Sequence, residues 1–144
     1  MSGRFNGVSE VTLNQLRIVI PSQMKEKFSP ESLGRVVLTV GVGKSVVLYP
    51  LDNWDEYCNR MEEGTDEQVA IIDYLADYAK EQKIEASGRV KIDRALLEYA
   101  GITDKAVLKG NGNYISLWSP EEHKKKVEQG QKRFSSLTPK DLRG

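Results

Sequence analysis

Cysteine and histidine are almost missing from this 144-residue chain, which has one of each, Cys58 and His123. A single cysteine cannot form an internal disulfide, which fits a reducing compartment, and no Cys/His cluster of zinc-binding spacing can be assembled. Long apolar runs are lacking too. The longest, such as Val46-Val47-Leu48-Tyr49, fall far short of the roughly 18 residues that cross a bilayer, so no membrane association is expected. No basic segment followed by an apolar one opens the chain, so no secretory signal is expected either. Net charge is also absent: 21 Lys and Arg balance 21 Asp and Glu, which argues against a generic polyanion binder.

Catalytic machinery is equally sparse. Gly41-Val42-Gly43-Lys44 precedes a strand pattern, where a phosphate-binding loop needs a helix. Cys58 sits in the amphipathic stretch Trp54-Asp55-Glu56-Tyr57-Cys58 and reads as a small buried hydrophobe rather than a nucleophile. His123 lies in the polar run Glu121-Glu122-His123-Lys124-Lys125-Lys126 and reads as solvated. Carboxylates are plentiful, but no pair is marked out as an acid/base couple. The expectation is a protein that is not an enzyme, with no metal, cofactor or small-molecule substrate.

What is present is an ordinary globular composition, 39% apolar and 29% charged, enough for one compact domain or two small related ones. The zero charge is unevenly spread. Residues 1–63 carry 7 basic and 8 acidic side chains, residues 64–83 carry 2 and 5, and residues 84–144 carry 12 and 8. The acidic centre reads as a helix opened by the capping box Thr65-Asp66-Glu67-Gln68. Val69, Ile72, Leu75, Ala76 and Ala79 recur at helical spacing, with Ile71, Tyr74 and Tyr78 as a second stripe. Two stripes mean contact from two sides, either as a helix packed between two halves or as a subunit interface.

On either side of that helix the sequence repeats an order of elements. Each half reads as a strand, an arginine at a turn exit, a strand, a short helix, a hairpin, an aromatic and a capped helix. Arg17 aligns with Arg89, Ile20 with Ile92, and Leu48-Tyr49 with Leu117-Trp118, at offsets drifting from 72 to 69. In the first half, Asp52 is expected to cap a helix that Gly64 ends. In the second, Gly101 follows a short helix from Arg94, and Ser119-Pro120-Glu121-Glu122 opens the last one. A unit of about 45 residues buries too little alone, so the halves must share one core.

Arginine at equivalent places is the leading functional signal. Arg17 and Arg89 each precede an alternating strand, where a rigid five-donor fork can point away from the sheet toward guanine edges or phosphates. The plainer alternative is pairing inside its own hairpin, for example Arg89 with Glu85.

Several segments, in their order and duplication, resemble the MraZ family of the SpoVT–AbrB swapped-hairpin class across residues 4–128. They are Phe5-Asn6-Gly7, Arg17-Ile18-Val19-Ile20-Pro21, Leu48-Tyr49-Pro50 with Trp54, Glu85-Ala86-Ser87-Gly88-Arg89, Ala100-Gly101-Ile102 and Leu117-Trp118. The resemblance implies a β-rich α+β fold in which two tandem swapped-hairpin repeats form one pseudo-symmetric β-barrel flanked by helices. Its parts are then residues 4–50 and 84–128 as repeats and 51–83 as connecting helices; the tail 129–144, outside the resemblance and with little periodicity, reads as mobile or as a docking extension. It also implies a cytoplasmic, nucleoid-associated regulator. Such a protein binds direct repeats in double-stranded DNA upstream of the division and cell-wall gene cluster, and assembles into a homo-oligomeric ring. The residues carried over are Arg17 and Arg89, supported at the same edge by Gln15, Ser87 and Lys91.

The family motif is an acidic residue, three variable positions and arginine, the last variable position commonly glycine. The second half keeps it as Glu85 to Arg89 with Gly88 in place. The first half departs, with Leu13 where the acid is expected and Leu16 where glycine is, and a non-glycine Leu16 disfavours a positive-φ turn. That departure leaves open an assembly module that has lost operator binding. An enzyme on a related barrel stands further off.

Overall fold

The computed structural model describes residues 2–144. Val8–Thr12 (β1) and Arg17–Val19 (β2) come first, joined by a tight turn but paired with different strands, followed by the short helix Ser22–Lys25 (α1). The valine-rich hairpin Arg35–Gly41 (β3) and Ser45–Pro50 (β4) leads directly into Leu51–Glu62 (α2) and Asp66–Tyr78 (α3). The order then recurs as Lys80–Lys83 (β5), Arg89–Lys91 (β6), Arg94–Ala100 (α4), Lys105–Gly110 (β7), Ile115–Trp118 (β8) and Pro120–Ser135 (α5). A last turn of helix, Pro139–Leu142 (α6), follows.

Local chemistry sets these boundaries. Thr65 accepts a hydrogen bond from the Gln68 backbone while Gln68 reaches back to Thr65, the reciprocal cap expected for α3. Ser119 caps α5 with Pro120 at its first position, and Gly101 ends α4 at φ 67°. Asp52 does not cap α2, whose N-cap is Pro50. Its carboxylate instead accepts from the Ser2 backbone at 2.9 Å and from the Ser29 hydroxyl at 2.8 Å, tying the N-terminal segment to the fold.

The strands build a six-stranded antiparallel sheet in the order β1-β7-β8-β4-β3-β5 and a separate two-stranded ribbon, β2-β6. Exchanging each strand for its counterpart in the other half maps the large sheet onto its own reverse. The first strand of each half pairs with the hairpin of the other: β1 with β7, and β5 with β3. The pseudo-twofold axis passes between Val47 and Ser116 in the large sheet and between Ile18 and Val90 in the ribbon. Those two registers correspond to offsets of 69 and 72 residues, the drift expected from the repeat alignment. The expected barrel takes the form of a sheet and a ribbon packed around one core; among the described residues no ladder of hydrogen bonds closes them together.

Both halves feed that core in equivalent pairs. Ile18 and Val90, Ile20 and Ile92, Leu38 and Leu108, and Leu48 and Leu117 are all at most 1% exposed. Burying each such side chain contributes roughly 1.5–3 kcal/mol. Alternation along β3 and β4 sends Val37, Val47 and Tyr49 to the opposite face, where Trp54 of α2 and Ile72 of α3 cover them. Tyr49 stacks between Tyr57 and Tyr114, with centroids at 5.3 and 5.0 Å. The second stripe of α3 stays outside: Ile71, Tyr74 and Tyr78 are 42–54% exposed. That helix therefore lies on the outer layer rather than between the halves. α5 continues without interruption past residue 129, and neither α5 nor α6 contains a buried residue.

Candidate nucleic-acid interface

The ribbon follows from strand alternation. Ile18 and Val90 point into the core, at 1% and 0% exposure, so their neighbours on each strand point out. Arg17 lies directly opposite Lys91, and Arg89 directly opposite Val19. Arg17 and Arg89 are thus diagonal neighbours, with roughly 7–8 Å expected between them. Three of the five residues proposed from sequence, Arg17, Arg89 and Lys91, share one outward face. Gln15 and Ser87 do not join that cluster; they occupy the two hairpin tips, one at each end of the ribbon.

The tips differ in construction. Asn14 and Arg17 exchange both backbone hydrogen bonds, at 2.9 and 3.0 Å, around a two-residue turn in which Gln15 and Leu16 have φ of 55° and 63°. These are the signs of a type I′ hairpin turn, usually filled by Asn-Gly. The second tip is one residue longer. Glu85 donates its N–H to the Arg89 carbonyl at 2.9 Å, and Gly88 takes the left-handed position at φ 88°.

This corrects the reading of the first half in two ways. The counterpart of Glu85 is Asn14, not Leu13, because the shorter tip shifts the alignment by one. Leu13 instead packs against the core and donates its N–H to the Asp104 carbonyl. Leu16 adopts the positive φ that its side chain disfavours. Packing against the core holds it there, together with its carbonyl, which accepts the Ile92 N–H at 2.7 Å as the Gly88 carbonyl accepts that of Ile20 at 2.9 Å.

A carboxylate does orient Arg17, and it comes from the other half. Glu85 Oε2 lies 3.4 Å from Arg17 Nε, while Arg17 Nη1 donates to the Gln15 carbonyl at 3.0 Å. The guanidinium is held along one edge and most of its five-donor fork is left open. Glu85 therefore pairs across the ribbon and not with Arg89 inside its own hairpin. Among the described residues, no carboxylate lies within salt-bridge distance of Arg89 or Lys91. Sequence reasoning missed one more cation: Lys25 Nζ of α1 donates to the Ala86 carbonyl at 3.0 Å, bracing the second tip. The face thus presents three cations against one carboxylate.

Elsewhere the groups that could carry catalysis are subdued. Burial, with Glu62 and Asp55 nearby, pushes the Cys58 thiol up to about 11, so it is protonated near neutrality. Burial and the charge of Lys109 lower the pKa of His123. No group of three or more His, Cys, Asp or Glu placed to hold a metal ion occurs among the described residues, and no helix there is long and apolar enough to cross a membrane.

Comparison with known proteins places this geometry in a family setting. Residues 75–142 match the family model described as "MraZ protein, putative antitoxin-like". Proteins named transcriptional regulator MraZ are similar along most of the chain. The one from Shewanella violacea is 30% identical across 92% of this chain and 90% of its own. That from Thiobacillus denitrificans is 27% identical across 97% of each. The Halorhodospira halophila protein is 30% identical across 79% of this chain and 78% of its own.

Proposed function

The chain belongs to the MraZ family of transcriptional regulators, and from that membership we propose that it binds direct repeats in double-stranded DNA, upstream of the division and cell-wall gene cluster, through the outward face of the β2–β6 ribbon. The observation that carries this reading is the convergence of Arg17, Arg89 and Lys91 on one face built from both halves. A two-stranded antiparallel ribbon has the width that the B-DNA major groove admits. Arg17, braced by Glu85, suits bidentate contact with a guanine edge. Arg89 and Lys91, with no carboxylate within salt-bridge distance among the described residues, suit phosphates, and Gln15 and Ser87 at the tips add polar contacts at either end.

One ribbon is a small reader. Several copies in a ring match a series of direct repeats, and avidity then turns weak single contacts into stable binding. The protein acts in the cytoplasm at the nucleoid and needs no metal or cofactor for this role. The competing reading, an assembly module without operator binding, drew on the departures of the first-half loop at Leu13 and Leu16; Glu85, 3.4 Å from Arg17, supplies from the other half a carboxylate that the first-half loop lacks, which favours the DNA-binding reading.

The test is a titration of the chain's own upstream DNA against a scrambled competitor. Combining Arg17→Ala with Arg89→Ala abolishes the preference for the cognate fragment while the circular dichroism spectrum and Tm stay near those of the wild type. Undiminished preference in the folded double variant refutes the site.

A further inference from the structure

We propose that the two ribbon strands have different tasks, β2 reading bases through Arg17 and Val19 and β6 holding the DNA backbone through Arg89 and Lys91. The exchange of valine for lysine across the pseudo-twofold axis then gives each protomer a reading direction. This rests on the DNA-binding reading above and names the residues that make it directional.

The outward face is a grid of four side chains, with Arg17 opposite Lys91 and Val19 opposite Arg89. Rotation about the axis between Ile18 and Val90 exchanges the two arginines and leaves that part of the face unchanged. It also exchanges Val19 with Lys91, an apolar side chain with a cation, and there the symmetry fails. The tips break it again: Glu85 has the neutral Asn14 as its counterpart, and its carboxylate leans on Arg17. A face of true twofold symmetry reads a site and its reverse complement alike and fits an inverted repeat. A direct repeat has one direction, so its reader needs a face that is not its own image under the rotation.

Val19 supplies the difference in chemistry. It is 50% exposed among three cations, at a position whose counterpart, Lys91, shows that a cation fits. A lone exposed valine on a solvated surface needs no explanation. One within a cationic face gives up an attraction to phosphate that lysine would provide. The side chain is also seated: a Cβ on Gly88 would lie 3.5 Å from Val19 Cγ1, so the valine rests on the second tip with its other side outward. In the major groove an apolar side chain recognises the C5-methyl group of thymine. Arg17 and Val19 are two residues apart on one strand, about 6.6 Å. Base pairs rise about 3.4 Å, so the thymine lies about two base pairs from the guanine that Arg17 contacts. β6 carries only cations on its outward face, Arg89 and Lys91, and these are left for phosphates.

Fluorescence anisotropy on the full chain tests this with a single repeat from its own upstream DNA, each thymine replaced in turn by deoxyuridine, which lacks only the methyl group. In the wild type one thymine should respond, its replacement weakening binding about fourfold, the loss of one buried methyl. Val19→Ser should bind the thymine and deoxyuridine fragments equally at that position, with its salt slope unchanged. Lys91→Ser should keep both the methyl dependence and the preference for cognate over scrambled DNA, while its salt slope falls by about 0.9. Both positions are exposed, so Tm should stay near that of the wild type. The wild-type scan needs no variant, and a scan in which no thymine responds overturns the assignment of Val19. So does a folded Val19→Ser protein that still senses the methyl. A Lys91→Ser protein whose cognate preference falls while its salt slope holds overturns the task given to β6. In each of these cases the ribbon still stands as the DNA site if Arg17→Ala with Arg89→Ala abolishes cognate preference. A wild type with no preference for its upstream DNA overturns both readings.

Discussion

Glu85→Gln is the most discriminating perturbation of the proposed interface, because the amide keeps the size of the side chain and removes only its charge. The Arg17–Glu85 pair is partly exposed, with side-chain exposures of 33% and 50% and a separation of 3.4 Å. Pairs of that kind contribute about 0.2–1 kcal/mol, since solvent screens them and two side chains must be ordered to make them. Stability should therefore fall by no more than about 1 kcal/mol, which for a chain of this size is a Tm shift of roughly 2–4 °C at most.

Binding divides into two effects. Removing a negative charge about 7 Å from a phosphate relieves roughly 0.6 kcal/mol of repulsion in water, about threefold in affinity, less in salt. That gain applies to any DNA and cancels in the ratio of cognate to scrambled affinity. Loss of the brace on Arg17 does not cancel. The ratio should fall by about 1.4- to 5-fold, the 0.2–1 kcal/mol of the pair expressed as binding. Arg17→Ala, which removes the base contact itself, should lower it by about 5- to 150-fold, corresponding to 1–3 kcal/mol of discrimination. Fluorescence anisotropy with both fragments at one fixed salt concentration measures this ratio. A Glu85→Gln protein whose ratio equals or exceeds that of the wild type refutes the positioning role of Glu85.

Two further outcomes concern the scaffold. Gly110→Ala should cost at least about 3 kcal/mol in urea unfolding, because an added Cβ falls on the Phe5–Asn6 backbone, 2.7 Å from Asn6 Cα, and must displace a segment whose Phe5 is 1% exposed; a near-native midpoint refutes that packing. Cys58 should alkylate about 100-fold more slowly at pH 8 than an unperturbed thiol of pKa 9, since burial raises its pKa to about 11 and the thiolate fraction falls with it. The rate should climb about tenfold per pH unit up to that value, so a plateau below pH 9 refutes the shift.

Most of the fold was legible because its signals are local. The cap at Thr65, the Ser119-Pro120 opening of α5 and the left-handed Gly101 each depend on residues within one turn of helix. The duplication was legible because Arg17 and Arg89, or Leu48 and Leu117, recur in the same order. What escaped depends on pairing between distant segments. Equal spacing placed Leu13 where the acid should be, yet the two-residue tip makes Asn14 the counterpart of Glu85. No periodicity reveals a shortened turn when neither central residue is glycine. Glu85 also reaches Arg17 over 68 positions of sequence, and only the swapped strands bring them together. Asp52 has the look of a helix cap, but the Ser2 and Ser29 donors that claim it come from another part of the chain.

The neutral composition acquires a physical meaning once these charges have places. The ribbon face holds Arg17, Arg89 and Lys91 against Glu85, while α3 carries four carboxylates and no cation. If each of the three cations neutralises one phosphate, log affinity falls with log salt at a slope near 2.7. A single protomer would then lose only about 40-fold between 50 and 200 mM salt, the behaviour of a weak binder. Such a protomer cannot hold an operator by electrostatics, and a protein of zero net charge gains nothing from the long-range field that concentrates strongly basic proteins on DNA. Under the proposed function, occupancy would come instead from engaging several repeats at once. The salt slope measured on a full operator, divided by the slope on a single repeat, should therefore approach the number of protomers engaged; a quotient of one would separate assembly from recognition and refute the avidity argument.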